Sequence, residues 1–284
     1  MKSKALTIST ILLLFIFIVP VNAQDEINYN PIQTVVPFLS ISPDSRSGAM
    51  GDVGAATSPD MFSMHWNPAK YAFIDGNGGF GISYIPWLRA LINDINQSYV
   101  TGYYRIDSKQ VVAGSLLYSS LGRIEFTDDG GIFQRDFNPN EFAVDAAYSR
   151  LFSEHWSGGV ALRFIYSNLT GGYGDTEQGI AFAADASAFY TNKLSLGSRS
   201  GNISAGISLS NIGSKMSYSS DIDPDFIPIN MRLGTTFQIN LDRYNSLAVS
   251  LDVNKLLVPT TPIYDEDLNI VDGMDPNVSV PVAI

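Results

Sequence analysis

This 284-residue chain carries two histidines and no cysteine, which leaves little for histidine-assisted or thiolate chemistry. His65 and His155 stand far apart, and neither lies in a nucleophile elbow or a His-Glu-x-x-His helix. Lack of cysteine excludes disulfides, thiolate catalysis and Cys-ligated zinc together. Asp221-Ile222-Asp223-Pro224-Asp225 lacks the glycine and the distal glutamate of an EF-hand loop and reads as a solvated connection. Gly171-Gly172-Tyr173-Gly174 follows a strand pattern without opening a helix, so it is no phosphate cradle. No catalytic residue, metal site or cofactor is expected, and the chain reads as non-enzymatic. What remains is a set of lone charges among small residues: Arg163, Arg232, Asp145, Asp185 and Asp252. Either they pair with one another and fix a packed interior, or they line a path for a solute.

The elements that carry these charges alternate apolar and small-polar residues for about ten positions each, the length of a membrane-spanning strand. In 231–241 one face reads Met231, Leu233, Thr235, Phe237, Ile239, Leu241, and the other Arg232, Gly234, Thr236, Gln238, Asn240. Phe142, Val144, Ala146 and Tyr148 oppose Glu141, Asp145 and Ser149, while Val160, Leu162, Phe164 and Tyr166 oppose Gly159, Ala161 and Arg163. A lone charge on a lipid-facing side costs about 2–4 kcal/mol at mid-depth, so the charges are expected to point inward. Nine strands are expected near 79–86, 96–106, 110–121, 141–152, 157–168, 178–190, 202–212, 229–241 and 246–256. Connections at 107–109, 153–156, 191–201 and 242–245 are read as short, and those at 87–95, 122–140, 169–177 and 213–228 as long. Short periplasmic turns alternating with longer extracellular loops are the pattern of an outer-membrane barrel. Within 122–140 a small hairpin is expected, 123–127 with 132–137, turned by Asp129-Gly130-Gly131.

The ends and the charge agree with this reading. Lys2 and Lys4 precede an apolar run at 5–19, then Pro20 and Val21-Asn22-Ala23, so residues 1–23 read as a cleaved secretory signal. Past it, no apolar run approaches the ~18 residues of a transmembrane helix. Removing both lysines takes the formal charge from −11 to −13, a balance that argues against nucleic acid. Fourteen Tyr and sixteen Phe suit aromatic girdles. The fold class is therefore all-β: a transmembrane antiparallel outer-membrane β-barrel occupying 79–284. A linker and plug segment covers 24–78, with the polar linker at 24–36. The chain ends at Ile284 where an extracellular loop is expected, before an even strand count, and so reads as C-terminally incomplete.

Residues 43–73 carry the densest motif. Gly48, Gly51 and Gly54 with Ala49, Ala55 and Ala56 allow close backbone packing. Ser58-Pro59-Asp60 reads as a helix cap, and Trp66-Asn67-Pro68-Ala69 as a turn into the first strand. As an exposed arm the segment would leave Met61, Phe62, Met64 and Trp66 in water, which favours a plug. At the opposite, long-loop rim, Leu88, Leu91, Ile132, Phe133, Phe226 and Ile227 are apolar groups among acidic residues. Such a composition fits a protein-contact surface, or side chains that pack together across the barrel mouth.

The Asn67-Pro68-Ala69 box resembles that of the FadL-like superfamily. The longer strings are more specific: His65 through Phe73, Tyr84-Ile85-Pro86-Trp87-Leu88-Arg89, Asn93-Asp94-Ile95-Asn96, Gly102-Tyr103-Tyr104, Pro139-Asn140-Glu141-Phe142-Ala143 and Ser157-Gly158-Gly159-Val160-Ala161. Together they resemble the PorV (LptO) family, outer-membrane barrels of the type IX secretion system in Bacteroidetes. The resemblance implies a FadL-like barrel of fourteen strands when complete. It also implies a shuttle that accepts cargo by its C-terminal signal domain at the translocon and delivers it to the sortase-like cell-surface attachment complex. Outer-membrane lipid and lipopolysaccharide are the implied surroundings. A FadL-type transporter of hydrophobic compounds is the alternative, which an apolar lumen track would favour.

Overall fold

Strands β1 (Gly78–Pro86), β2 (Ile95–Arg105) and β3 (Gln110–Leu121) lead into a separate hairpin, β4 (Ile124–Thr127) with β5 (Phe133–Phe137). Then follow β6 (Asn140–Leu151), β7 (Trp156–Asn168), β8 (Gly179–Leu196), β9 (Arg199–Gly213), β10 (Asn230–Asn240) and β11 (Ser246–Leu256). The computed structural model describes residues 31–128, 130–172, 174–221, 223–265, 269–275 and 277–283. The expected leader at 1–23, the linker to residue 30 and the hairpin-turn residue Asp129 lie outside the described residues, as do Tyr173 and Ile222. Among the described residues no helix is long and apolar enough to cross a membrane.

All strands except the β4–β5 hairpin and a short pair, β12 (Ile263–Tyr264) with β13 (Ile270–Asp272), form one antiparallel sheet in chain order. Its edges among the described residues are β1 and β11. The chain is thus all-β, with only short helical turns.

Period-two alternation decides which residues lie on each face. The face that packs on the 36–74 segment takes Gln97, Tyr99, Thr101 and Tyr103 from β2, and Glu141, Ala143, Asp145, Ala147 and Ser149 from β6, all buried. The other, open face carries Phe80, Ile82 and Tyr84 of β1, Val160 and Leu162 of β7, and Leu247, Val249, Leu251 and Val253 of β11, all exposed. An open face this continuously apolar is unlike the surface of a soluble sandwich, where it would lie in water.

Two expectations about local structure are corrected. The connection at 191–201 is not a loop: β8 and β9 pair as far as Leu196 and Arg199, leaving Gly197-Ser198 as the turn. Alternation continues through Asn192-Lys193-Leu194-Ser195, whose polarity reflects a strand end outside the packed zone. Ser58-Pro59-Asp60 caps no helix directly. Asp60 instead accepts from Phe62 N at 3.0 Å, one residue before α2, which is the second of the helical turns described next.

The 36–74 segment contains 3-10 turns at Pro37–Ser40 and Pro68–Phe73, with one-turn helices α1 (Ser45–Ala49) and α2 (Ser63–Trp66). It contributes Val36, Phe38, Leu39, Met64, Tyr71 and Ile74 to the same core cluster as Tyr99, Leu117 and Ile165 of the sheet. Val36, read as linker, is fully buried.

Candidate functional site

The segment is seated on the sheet by main-chain and amide contacts around one tetrapeptide. Trp66 is buried; its Nε1 donates to Asp44 Oδ2 at 2.6 Å, and the Arg232 guanidinium lies 4.4 Å from its ring centre. Asn67 Nδ2 donates to Ala55 O at 2.9 Å within the segment and to Ala188 O of β8 at 3.1 Å. Its Oδ1 accepts from Ala69 N at 3.0 Å, capping the 3-10 turn in which Pro68 takes the first position. The 66–69 box therefore caps and opens this turn, which leads on to β1 at Gly78. Ala69 is held from three strands: its N–H by Ser187 Oγ at 3.1 Å, its carbonyl by Ser149 Oγ at 3.1 Å and Ser157 Oγ at 2.7 Å.

Such close approach requires glycine on the wall. A Cβ on Gly159 would lie 2.8 Å from Ala69 Cα, and one on Gly206 would overlap Ala55 O. Lys70 is wholly buried, with Nζ donating to Gly54 O at 2.9 Å and Thr57 Oγ1 at 3.0 Å. Burial pulls its amine down to about 8.

The expected charge ladder divides into two devices. Arg163 and Asp145 are directly opposed across β6 and β7, with Arg163 Nε donating to Asp145 Oδ1 at 2.6 Å. Arg163 Nη2 reaches Asp185 Oδ2 at 3.1 Å, and Nη1 donates to Asn211 Oδ1. Asn211 sits at an irregularity in the β8–β9 pairing with φ 61°, and its N–H donates to Asp185 Oδ1 at 2.7 Å. The bulge thus brings a third polar partner to the buried guanidinium. Asp252 forms no ion pair among the described residues; its Oδ2 accepts from Gly54 N at 2.7 Å and Ala55 N at 2.9 Å, tying β11 to the segment. Arg232 donates through Nε to Asn254 Oδ1 at 2.7 Å. Neither Asn211 nor Lys70 was legible as a functional residue. Asn211 lies within a strand-like run, and Lys70 stands in the His65 to Phe73 string with no sign of its burial.

At the long-loop end the six candidate contact residues separate. Leu91 is 80 % exposed and Ile132 66 %, with Leu88 and Phe133 exposed beside them. Asp94 joins their two loops by accepting from Arg123 N at 2.7 Å. Phe226 and Ile227, in contrast, are only 5 % and 1 % exposed, so their reading as exposed contact groups is corrected. The 213–228 connection folds back on itself through paired Met216 and Asp225 backbones at 2.9 Å, and Val35 N donates to Phe226 O at 3.0 Å. Lys215 Nζ covers the Phe226 ring at 4.2 Å, and Ile227 joins Met216 and Ile229 in the core. The apolar run Phe226-Ile227-Pro228-Ile229 is the signal that could have shown it.

Among the described residues no three His, Asp or Glu side chains converge as a metal site. His65 packs edge-on against Trp66 at 4.7 Å, and His155 sits on an exposed turn with Nδ1 3.1 Å from Thr191 O. A family model described as Type IX secretion system protein PorV matches residues 23–263. No curated protein matches the chain.

Proposed function

Because the chain belongs to the family of the type IX secretion system protein PorV, and so serves type IX secretion, we propose that it is a non-enzymatic cargo carrier in the outer membrane. In this reading the sheet is part of a FadL-like barrel wall, fourteen strands when whole, and the 36–74 segment is its plug. The apolar open face then lies in lipid, and the tight turns at 106–109, 152–155, 197–198 and 241–245 face the periplasm. Cargo binds by its C-terminal signal domain after leaving the translocon and passes to the surface attachment complex.

The observation that carries the proposal is the exposed apolar pair of loops joined at Asp94: Leu88 and Leu91 on one, Ile132 and Phe133 on the other. Solvated loops of a monomer seldom hold such side chains in the open, and their presence on two loops of the same end offers a surface on which a folded domain can dock. Packing of segment residues such as Phe38, Met64 and Tyr71 into the core they share with the covered face favours this reading over a transporter of hydrophobic compounds.

The test is co-purification of signal-bearing cargo with full-length protein from outer-membrane extracts. Leu88→Ser with Leu91→Ser, and separately Ile132→Ser with Phe133→Ser, are expected to retain heat-modifiable gel migration while cargo recovery falls at least tenfold, a loss of about 1.4 kcal/mol. Normal cargo recovery by both assembled variants rules out docking through these loops. Recovery of the protein in the soluble periplasmic fraction, without heat-modifiable migration, rules out the barrel itself.

A further inference from the structure

We infer that a polar cavity between the helical segment and strands β9–β11 is an oxyanion site, in which the Arg232 guanidinium takes a carboxylate or phosphate group. The cavity measures about 250 Å³ and is walled by Asp52, His65 and Trp66 of the segment and by Asn230, Arg232 and Asn254 of the sheet, among others. Its two arginines differ. Arg163 spends its guanidinium on Asp145, Asp185 and Asn211. Arg232 has no carboxylate within ion-pair distance among the described residues. Its face lies on Trp66, and its one hydrogen bond there is from Nε to Asn254 Oδ1. The two terminal nitrogens remain as a planar fork, the arrangement that takes two oxygens of one anion.

The surroundings favour a negative guest. Burial first, then the charges of Arg232 and Arg163, push the His65 imidazole well below its ordinary value, so it stays neutral and the cations next to it are the arginines. Asn230 and Asn254 place amides on the same wall. Asp52 lines the same cavity, and its charge and that of Asp252 both act on Arg232 and disfavour multiply charged guests, so a singly charged oxyanion fits best. Because the walls come from both segment and sheet, a bound oxyanion also bridges the two. The inference goes beyond cargo docking and does not depend on it.

Full-length protein in detergent, titrated separately with acetate, phosphate and chloride at matched ionic strength, tests it. The readout is the pKa of His65 followed by NMR, with the His155 resonance as reference. An oxyanion seated on Arg232 is expected to raise the His65 pKa saturably by about half a unit or more, because a nearby negative charge favours imidazolium. Acetate and phosphate are compared to identify the preferred group, and chloride is expected to have no saturable effect. Arg232→Gln is expected to abolish the response, and Arg232→Lys, which keeps the charge and loses the fork, to weaken apparent affinity at least tenfold. Equal responses from wild type and Arg232→Gln, or from chloride and the oxyanions, overturn the inference. If Arg232→Gln does not assemble, Arg232→Lys decides alone, and unchanged affinity overturns it.

Discussion

Arg163 and Arg46 are both paired arginines, yet burial gives them very different weight. Arg163 and its partners Asp145 and Asp185 are almost fully buried, so each charge depends on the others for compensation. Removing one partner leaves an uncompensated buried charge, and Asp145→Ala is expected to lower the free energy of unfolding by about 3–5 kcal/mol. The urea midpoint of the refolded protein measures it, and a shift equivalent to under 1 kcal/mol contradicts the assignment. Arg46 pairs with Asp60 at a partly exposed site. Arg46→Ala is expected to cost only about 0–1 kcal/mol in the same measurement. The charges of Arg163, Asp145 and Asp185 were legible as inward-pointing because alternation fixes their face. The separation of Asp252 and Arg232 from them was not, because it depends on where a distant segment comes to rest.

The helical segment is attached to the sheet at two places, which Asn67 and Lys70 link to each other. Ala69 is bound from β6, β7 and β8, whereas the turn at Gly54 and Ala55 is held to the sheet edge by the Asp252 carboxylate. Asp252→Ala is expected to speed hydrogen exchange at the amides of Gly54 and Ala55 and to leave Ala69 protected. Loss of protection at all three shows that the segment opens as one unit. Lys70, inside the same element, makes stability depend on pH. Its amine is pulled to about 8 in the fold, against an ordinary value near 10.4. The folded state therefore holds this proton less tightly than the unfolded chain. Its contribution opposes folding by about 3 kcal/mol below pH 8, and the opposition fades as pH rises toward ~10. The denaturation midpoint is expected to rise between pH 7.5 and 9.5, and Lys70→Gln to flatten that rise. Tyr71, whose ionisation burial pushes up, stays neutral throughout this window.

For the whole molecule, the sharpest consequence concerns the open face. Leu162 is 70 % exposed at the middle of β7, next to the inward Arg163. If that face lies in lipid, Leu162→Arg costs about 2–4 kcal/mol at mid-depth and is expected to reduce the heat-modifiable form in membrane extracts. Leu162→Val, which stays apolar, is expected to leave assembly unchanged. Equal assembly of the arginine and valine variants places this face in water.

Alternation determined the nine strands of the main sheet and their facing, though not the paired ends of β8 and β9, because a period of two leaves each side chain only one choice of side; the hairpin inserted after β3 was legible from its Asp-Gly-Gly turn. Turn chemistry at Asp107, Ser153 and Asp242 likewise acts within a few residues, and these tight ends stand where they were expected. The sequence also carried the family, through strings such as His65 to Phe73. The tertiary structure alone decided which loop residues are exposed: Ile132 and Phe226 look alike in sequence, but only the second folds back under Lys215 onto the core. It also decided that Asp252 holds backbone amides rather than an arginine, and that Arg232 faces a cavity. Those outcomes depend on contacts between residues up to 198 positions apart. Local periodicity has no means of encoding where such partners meet.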